Sequence, residues 1–109
     1  MNDDILTLLY QTVIERKNNP QEGSYTCYLF EKGLDKILKK VGEECSEVII
    51  ASKNDDNNEV VYEISDLLYH ITVLMAEKGI NPEEVYAELA KRSNITGNLK
   101  QFHTVDKNT

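Results

Sequence analysis

The sequence contains little cysteine, fewer basic than acidic residues and no long apolar run. Each of these shortages argues against one class of protein. Two cysteines, Cys27 and Cys45, are too few for a disulfide framework, so we expect free thiols in a reducing cytoplasm. Neither cysteine has a metal-type spacing to His70 or His103. The net charge of −7 argues against a nucleic-acid partner, because such a partner requires a basic surface.

Neither a membrane segment nor a secretion signal is expected. No apolar run approaches the length that crosses a bilayer, so no membrane partner is predicted. The first residues, "MNDDILTLLYQ", are acidic and lack the basic start of a signal peptide. A chain of 109 residues with a hydrophobic fraction of 40% predicts one domain over residues 1–109. We therefore expect a cytoplasmic single-domain protein.

Apolar residues recur at helical spacing along most of the chain, and no strand-like alternation occurs. The predicted fold class is all-α, a bundle-like domain of four to five helices. We divide the chain into an N-terminal helix, a loop with room for one helical turn, a helical core and a loosely attached C-terminal tail. These parts cover residues 1–18, 19–33, 34–93 and 94–109.

Two long helices are predicted inside the helical core, at residues 34–53 and 59–78. Between them lies "NDDNN", in which Asn and Asp favour a turn. The second helix is expected to end at Gly79, since glycine is common directly after a helix. Asn81 is expected to cap one more helix. The second long helix is apolar nearly all round, which predicts that a second copy of the chain covers it in a homodimer.

Four carboxylates interrupt the apolar faces of the two long helices. They lie at positions mirrored about residue 55, in the middle of the predicted turn. An antiparallel helical hairpin brings Glu47 level with Glu63, because both helices rise equally per residue. The same register brings Glu44 level with Asp66. Four negative charges in a partly dry space require a cation, and ligands that are all oxygen favour Mg²⁺ or Mn²⁺ over zinc.

Basic residues continue the stripe that carries two of these carboxylates. Lys36 and Lys40 precede Glu44 on the same helix face, which suits a phosphate chain bridged to Mg²⁺ and equally suits ordinary salt bridges. Lys53 could reach phosphate or simply complement the helix dipole. Glu43 could orient a water beside the metal or be a solvated surface residue.

Several stretches together resemble a known enzyme family. "EECSE" followed by "EISD" matches the E-E-x-x-E … E-x-x-D signature of the MazG-like all-α nucleoside triphosphate pyrophosphatases. "GSYTCYLFEKGLDKILKKVGEECSEVIIASKN", "EISDLLYHITVLM" and "LAKRS" are more specific. Over about residues 20–93, the chain is similar to the phosphoribosyl-ATP pyrophosphatases of histidine biosynthesis.

The resemblance implies an enzyme that hydrolyses phosphoribosyl-ATP to phosphoribosyl-AMP and pyrophosphate with Mg²⁺, or Mn²⁺ in its place. It also implies nucleotide binding, a homodimer and a monofunctional form without a fused cyclohydrolase. The implied metal ligands are Glu44, Glu47, Glu63 and Asp66, and Glu43 joins them as a catalytic residue. The resemblance also implies that residues 19–33 form a loop that binds the substrate. The implied substrate-binding residues are Ser24, Tyr25, Thr26, Lys36, Lys40, Lys53 and Arg92.

Alternatives remain for two of these features and for one further residue, His70. The "SYT" stretch alone is also typical of a polar turn with one aromatic anchor. Arg92 could reach the site or cap the end of its helix. His70, four residues after Asp66, could orient a metal ligand, although a packed core histidine is the interpretation that the pattern favours.

Two other functions also remain open. One is a house-cleaning MazG-like nucleoside triphosphate pyrophosphohydrolase. The other is a non-catalytic helical dimer that holds a structural metal.

Overall fold

The computed structural model describes residues 4–93, and these residues form five α-helices and no strand. The helices are α1 (Ile5–Asn18), α2 (Tyr25–Lys32), α3 (Leu34–Ser52), α4 (Asn57–Lys78) and α5 (Pro82–Ser93). The prediction of an all-α fold is confirmed. Among the described helices, none combines the length and the apolar character that crossing a bilayer requires. The predicted tail at residues 94–109 lies outside the described residues.

The end of α4 and the start of α5 are defined by the two residues that the sequence indicates. Gly79 has a φ of 75°, in the left-handed region where glycine avoids a Cβ clash. Asn81 accepts hydrogen bonds from the backbone N–H groups of Glu83 and Glu84. The carboxylate of Glu84 accepts the N–H of Asn81 in return, at 3.2 Å. This reciprocal capping box explains why the boundary is readable from sequence.

The prediction of a loop over residues 19–33 is wrong for its second half, where Tyr25–Lys32 form the eight-residue helix α2. Ser24 caps this helix by accepting the N–H of Cys27 at 3.2 Å. Leu29 is fully buried on its inner face. A helix this short is marginal on its own propensity, so tertiary packing stabilises it.

Four of the helices share one hydrophobic core. Val13, Leu29, Ile37 and Val73, one from each of α1 to α4, are at most 1% exposed. Burial of each such side chain contributes roughly 1.5–3 kcal/mol. Ala76 joins this core from α4. Helices α3 and α4 pack along each other, and α2 contacts α1, α3 and α4. Hydrogen bonds from Tyr25 and Thr26 to α4 place the first turn of α2 beside the part of α4 that carries Asp66.

Candidate metal and substrate site

The centre of the site is a buried carboxylate on α3 that faces a carboxylate and a histidine on α4. Glu44 is 7% exposed, and it offers a ligand oxygen within 4.8 Å of ligand atoms of Asp66 and His70. Oε1 of Glu44 is buried and has no hydrogen-bond partner among the described residues. Because an unpartnered buried carboxylate oxygen is costly, this position suits a bound cation.

The raised pKa of Glu44 also indicates that its position suits a bound cation. Its pKa is raised from 4.5 to about 7. Burial is the largest cause, followed by a hydrogen bond with Asp66 and by the negative charges of Asp66 and Glu63. Lys40 opposes the shift, with its Nζ 3.9 Å from Oε2 of Glu44. Glu44 is therefore only partly ionised near neutral pH, and a bound cation would compete with its proton.

Of the four predicted metal ligands, the structure brings Glu44 and Asp66 together most closely. Glu63 is partly exposed and near enough for its charge to raise the pKa of Glu44. Glu47 lies one turn along α3 from Glu44 and is exposed, without a side-chain hydrogen bond or ion pair inside residues 4–93. The ligand roles of all four remain a prediction.

His70 occupies a position in the site that sequence reasoning did not favour. It is 2% exposed, and both ring nitrogens have partners. Nδ1 lies 2.8 Å from the carbonyl oxygen of Asp66, and Nε2 lies 3.0 Å from Oη of Tyr25. The spacing of four residues after Asp66 was the available signal, but a packed core histidine shows the same spacing.

The three predicted substrate residues of the "SYT" stretch have different surroundings. Ser24 is the N-cap of α2. Tyr25 is 45% exposed as a residue, while its hydroxyl contacts His70. The hydroxyl of Thr26 is hydrogen-bonded to the hydroxyl of Tyr69. Two of the three hydroxyls therefore link α2 to α4.

Among the predicted basic residues, Lys40 lies nearest to the cluster. Its Nζ is 3.2 Å from Oε1 of Glu43, an exposed carboxylate, and this hydrogen bond is the main cause that raises the pKa of Lys40. Lys36 lies over the ring of Tyr28, with its Nζ 5.9 Å from the centroid. Lys40 is therefore the predicted phosphate ligand whose charge already acts on Glu44.

The structure places the other two predicted basic residues at helix ends. Lys53 is the exposed C-cap residue of α3. Arg92 forms an ion pair with Glu88 on α5, at 3.1 Å. Neither side chain contacts Glu44, Asp66 or His70 in the described part of the chain. Their substrate roles remain a prediction.

A cavity of about 970 Å³ opens between the end of α1 and α2. Tyr25 lines this cavity and also contacts His70, so it joins the cavity to the carboxylate cluster. The lining includes the aromatic Tyr28 and Phe30, and it contains basic and acidic residues in equal number: Arg16, Lys17, Glu22 and Glu31. A cavity of this size can accept a ligand of nucleotide size.

The helices and the carboxylate cluster around the buried Glu44 together define an all-α protein with an acidic site suited to a hard cation. The chain belongs to the phosphoribosyl-ATP pyrophosphohydrolase family, whose model matches residues 6–93. The family resemblance read from the sequence is therefore confirmed.

Curated relatives agree with this family assignment. The chain is similar to a "Phosphoribosyl-ATP pyrophosphatase" of Bacillus cereus, at 62% identity over 100 residues, which cover 92% of this chain and 94% of the relative. The protein of the same name from Streptococcus thermophilus is 54% identical over 95 residues, covering 87% and 91%.

Other relatives are longer proteins. "Histidine biosynthesis bifunctional protein HisIE" of Caldanaerobacter subterraneus is 62% identical over 89 residues, which cover 82% of this chain and 43% of that protein. The chain thus spans less than half the length of this bifunctional relative.

Proposed function

We propose that this chain hydrolyses phosphoribosyl-ATP to phosphoribosyl-AMP and pyrophosphate, the second step of histidine biosynthesis, at the cluster formed by α3 and α4. Membership of the family and the names of the relatives support the reaction. The observation that carries the location is Glu44, whose buried Oε1 has no partner and lies beside Asp66 and His70. In this reaction a water oxygen forms a new bond to phosphorus, and the α–β phosphoanhydride bond breaks.

Glu44 and Asp66 would hold Mg²⁺, with Glu47 and Glu63 as further ligands. The unpartnered oxygen of Glu44 and the oxygen-rich cluster support this ion, and Mn²⁺ is the alternative. When bound, the ion supplies positive charge that neutralises phosphate oxygens and helps activate water. Both nitrogens of His70 already have partners, so we leave His70 out of the ligand set.

The remaining residues would act by binding and orienting the substrate. Lys40 lies beside Glu44 and carries a charge that suits phosphate oxygens. The part of Tyr25 that stays exposed offers a surface for the base, and the adjoining cavity has room for the nucleoside portion. Catalysis of phosphoryl transfer depends mainly on such positioning and on charge neutralisation.

We also infer that α3 and α4 form an antiparallel hairpin and that a second copy of the chain packs against its turn end. Ile49, Ile50, Val61 and Tyr62 are between 59% and 67% exposed there, on both sides of the short connection between the helices. Large apolar side chains that are exposed this close together in the chain are typical of an interface. Glu47 and Glu63 also lie toward the turn end of the α3–α4 pair, so the second copy would enclose them and complete the site.

Pyrophosphate release with phosphoribosyl-ATP, with and without EDTA, tests the proposed reaction. We expect turnover that EDTA abolishes and that Mg²⁺ restores. ATP and dUTP are tested in parallel, and we expect neither to approach the turnover of phosphoribosyl-ATP. Equal or faster hydrolysis of ATP or dUTP would instead identify a house-cleaning pyrophosphohydrolase.

Asp66→Asn separates the enzyme from a structural metal protein. The proposal predicts a folded variant whose turnover falls by about 100-fold or more, since charge stabilisation at a phosphoryl-transfer site is worth several kcal/mol. Circular dichroism and thermal melting report the folded state. A variant that loses its fold and its metal together supports the structural role instead.

A further inference from the structure

The first turn of α2 is attached to α4 by two neighbouring side-chain hydrogen bonds. Oη of Tyr25 lies 3.0 Å from Nε2 of His70, and the hydroxyl of Thr26 bonds to the hydroxyl of Tyr69. Consecutive residues of one helix thus pair with consecutive residues of the other. The ring of His70 stands edge-on to the rings of Tyr25 and Tyr69, with centroids 5.7 Å and 4.9 Å away.

The partners of His70 determine which ring nitrogen carries the proton. Nδ1 faces the backbone carbonyl of Asp66 at 2.8 Å, and a carbonyl oxygen can only accept a hydrogen bond. A neutral ring protonated at Nδ1 therefore presents Nε2 as an acceptor, and the hydroxyl of Tyr25 donates to it. Oδ1 of Asp66 lies 3.6 Å from the same Nδ1, on the proton-bearing side of the ring.

We propose that His70 is a positioning residue, which holds Tyr25 in place as the aromatic wall between the carboxylate cluster and the substrate cavity. The proposal rests on the proposed function, because it assigns Tyr25 to the substrate of that same site. The connection runs from the carbonyl of Asp66 through the His70 ring to the Tyr25 hydroxyl, all within α2 and α4. His70 acts through Tyr25 and is not itself a metal ligand.

This arrangement assigns separate tasks to the two ends of the Tyr25 side chain. The hydroxyl is engaged with His70, so it is not available to a phosphate or a ribose oxygen without breaking that bond. Tyr25 is 45% exposed and lines the cavity, and its ring lies beside the nearly parallel rings of Tyr28 and Tyr69, with centroids 6.0 Å and 6.2 Å away. A base can pack against the part of this ring that stays exposed without any hydrogen bond to the hydroxyl.

Kinetics of a double-mutant cycle test the connection. Tyr25→Phe keeps the ring and removes the donor, and His70→Leu removes the acceptor without placing a new polar group in a buried position. We expect each variant to raise KM for phosphoribosyl-ATP by roughly fivefold to tenfold, with kcat changed by less than about threefold. The double variant should be no worse than His70→Leu, because both changes break one connection.

His70→Gln offers a rescue, because the Gln side-chain oxygen can accept the hydroxyl of Tyr25. We expect its KM to lie closer to that of the wild type than the KM of His70→Leu. Affinity for Mn²⁺, followed by electron paramagnetic resonance, should stay within about twofold in all variants. A tenfold loss of Mn²⁺ affinity in His70→Leu, or independent effects of the two single variants, would overturn the proposal.

Nitrogen-15 NMR of the histidine ring examines the connection without turnover. The chain has two histidines, so His103→Gln leaves His70 as the only ring signal. We expect a neutral ring with the proton on Nδ1, unchanged in tautomer by Mg²⁺, and an Nε2 resonance that moves in Tyr25→Phe. A ring protonated on Nε2, or a ring that loses its Nδ1 proton when Mg²⁺ is added, would refute it. If the expected tautomer is found but phosphoribosyl-ATP is not hydrolysed, the proposed function fails while the hydrogen-bonded connection stands.

Discussion

The two ends of the α3–α4 pair differ sharply in how their apolar side chains are covered. Away from the connecting turn, Ile37 and Val73 are completely buried against α1 and α2. Near the turn, Ile49 and Val61 are 65% and 62% exposed. Glu44 and its partners lie between these regions. The proposed second copy would account for this contrast, because it would cover the outer half that one chain leaves exposed.

A charge placed in the exposed region near the turn should cause the largest loss of assembly and activity. Val61→Glu would put a carboxylate into the proposed contact between two copies, where it would be desolvated and unpaired. We expect monomers by light scattering and a fall in activity of more than tenfold, because Glu47 and Glu63 would lose their cover. Circular dichroism should show that the helices remain.

Leu89→Glu is the matched control for this change. Leu89 is 57% exposed on α5, outside the proposed contact. This variant should assemble and turn over substrate as the wild type does. A dimeric Val61→Glu, or a monomer with full activity, would contradict the proposal that the outer half is completed by a second copy.

In the inner half, the buried Glu44 should make the free energy of unfolding depend on pH. The pKa of Glu44 is raised from 4.5 to about 7 in the folded chain, mainly by burial. The folded state therefore binds this proton more tightly than the unfolded state does. The resulting stabilisation is complete below pH 4.5 and is lost as the pH rises through about 7. Its upper size is on the order of 3 kcal/mol, from about 1.4 kcal/mol per pKa unit.

Urea unfolding of metal-free protein at pH 5 and pH 8 measures this term. Glu44→Gln lacks the titrating group, so its stability relative to the wild type should increase between these two pH values. Asp35→Asn, an exposed change at the start of the same helix, should show no such trend. Excess Mg²⁺ should stabilise the wild type at pH 8 through binding to the folded state. An equal difference between wild type and Glu44→Gln at both pH values would mean that Glu44 does not titrate as described.

The sequence was most informative where local signals agree with one another. The boundaries of α3 and α4 were predictable to within about two residues, because a turn-forming "NDDNN" and Gly79 stand at their ends. The same symmetry about the turn paired Glu44 with Asp66, and the structure places these side chains together. The boundaries depend on local turn and cap residues, and the pairing depends on the regular rise of a helix, so spacing along the chain is enough to predict both.

Features that depend on tertiary contacts were not readable in this way. Helix α2 has eight residues, too few for periodicity to separate it from a loop, and it is held by the burial of Leu29. The use of His70 depends on Tyr25, which is 45 positions away in the chain. The spacing of His70 to Asp66 was visible, but the distant partner that distinguishes positioning from simple packing was not.

The smallest change in activity is expected at Lys40 on α3, and the adjacent Lys39 provides its control. Lys40 lies 3.9 Å from Glu44, while Lys39 is exposed and its neighbour in sequence. Lys40→Ala removes a charge that lowers the pKa of Glu44 and that we assign to phosphate binding, so kcat/KM should fall roughly tenfold, or about 1.4 kcal/mol. Lys39→Ala keeps that charge and should leave kcat/KM within about twofold of the wild type. If both variants lose activity equally, general attraction of the anionic substrate explains the lysines, and a specific role for Lys40 beside Glu44 is excluded.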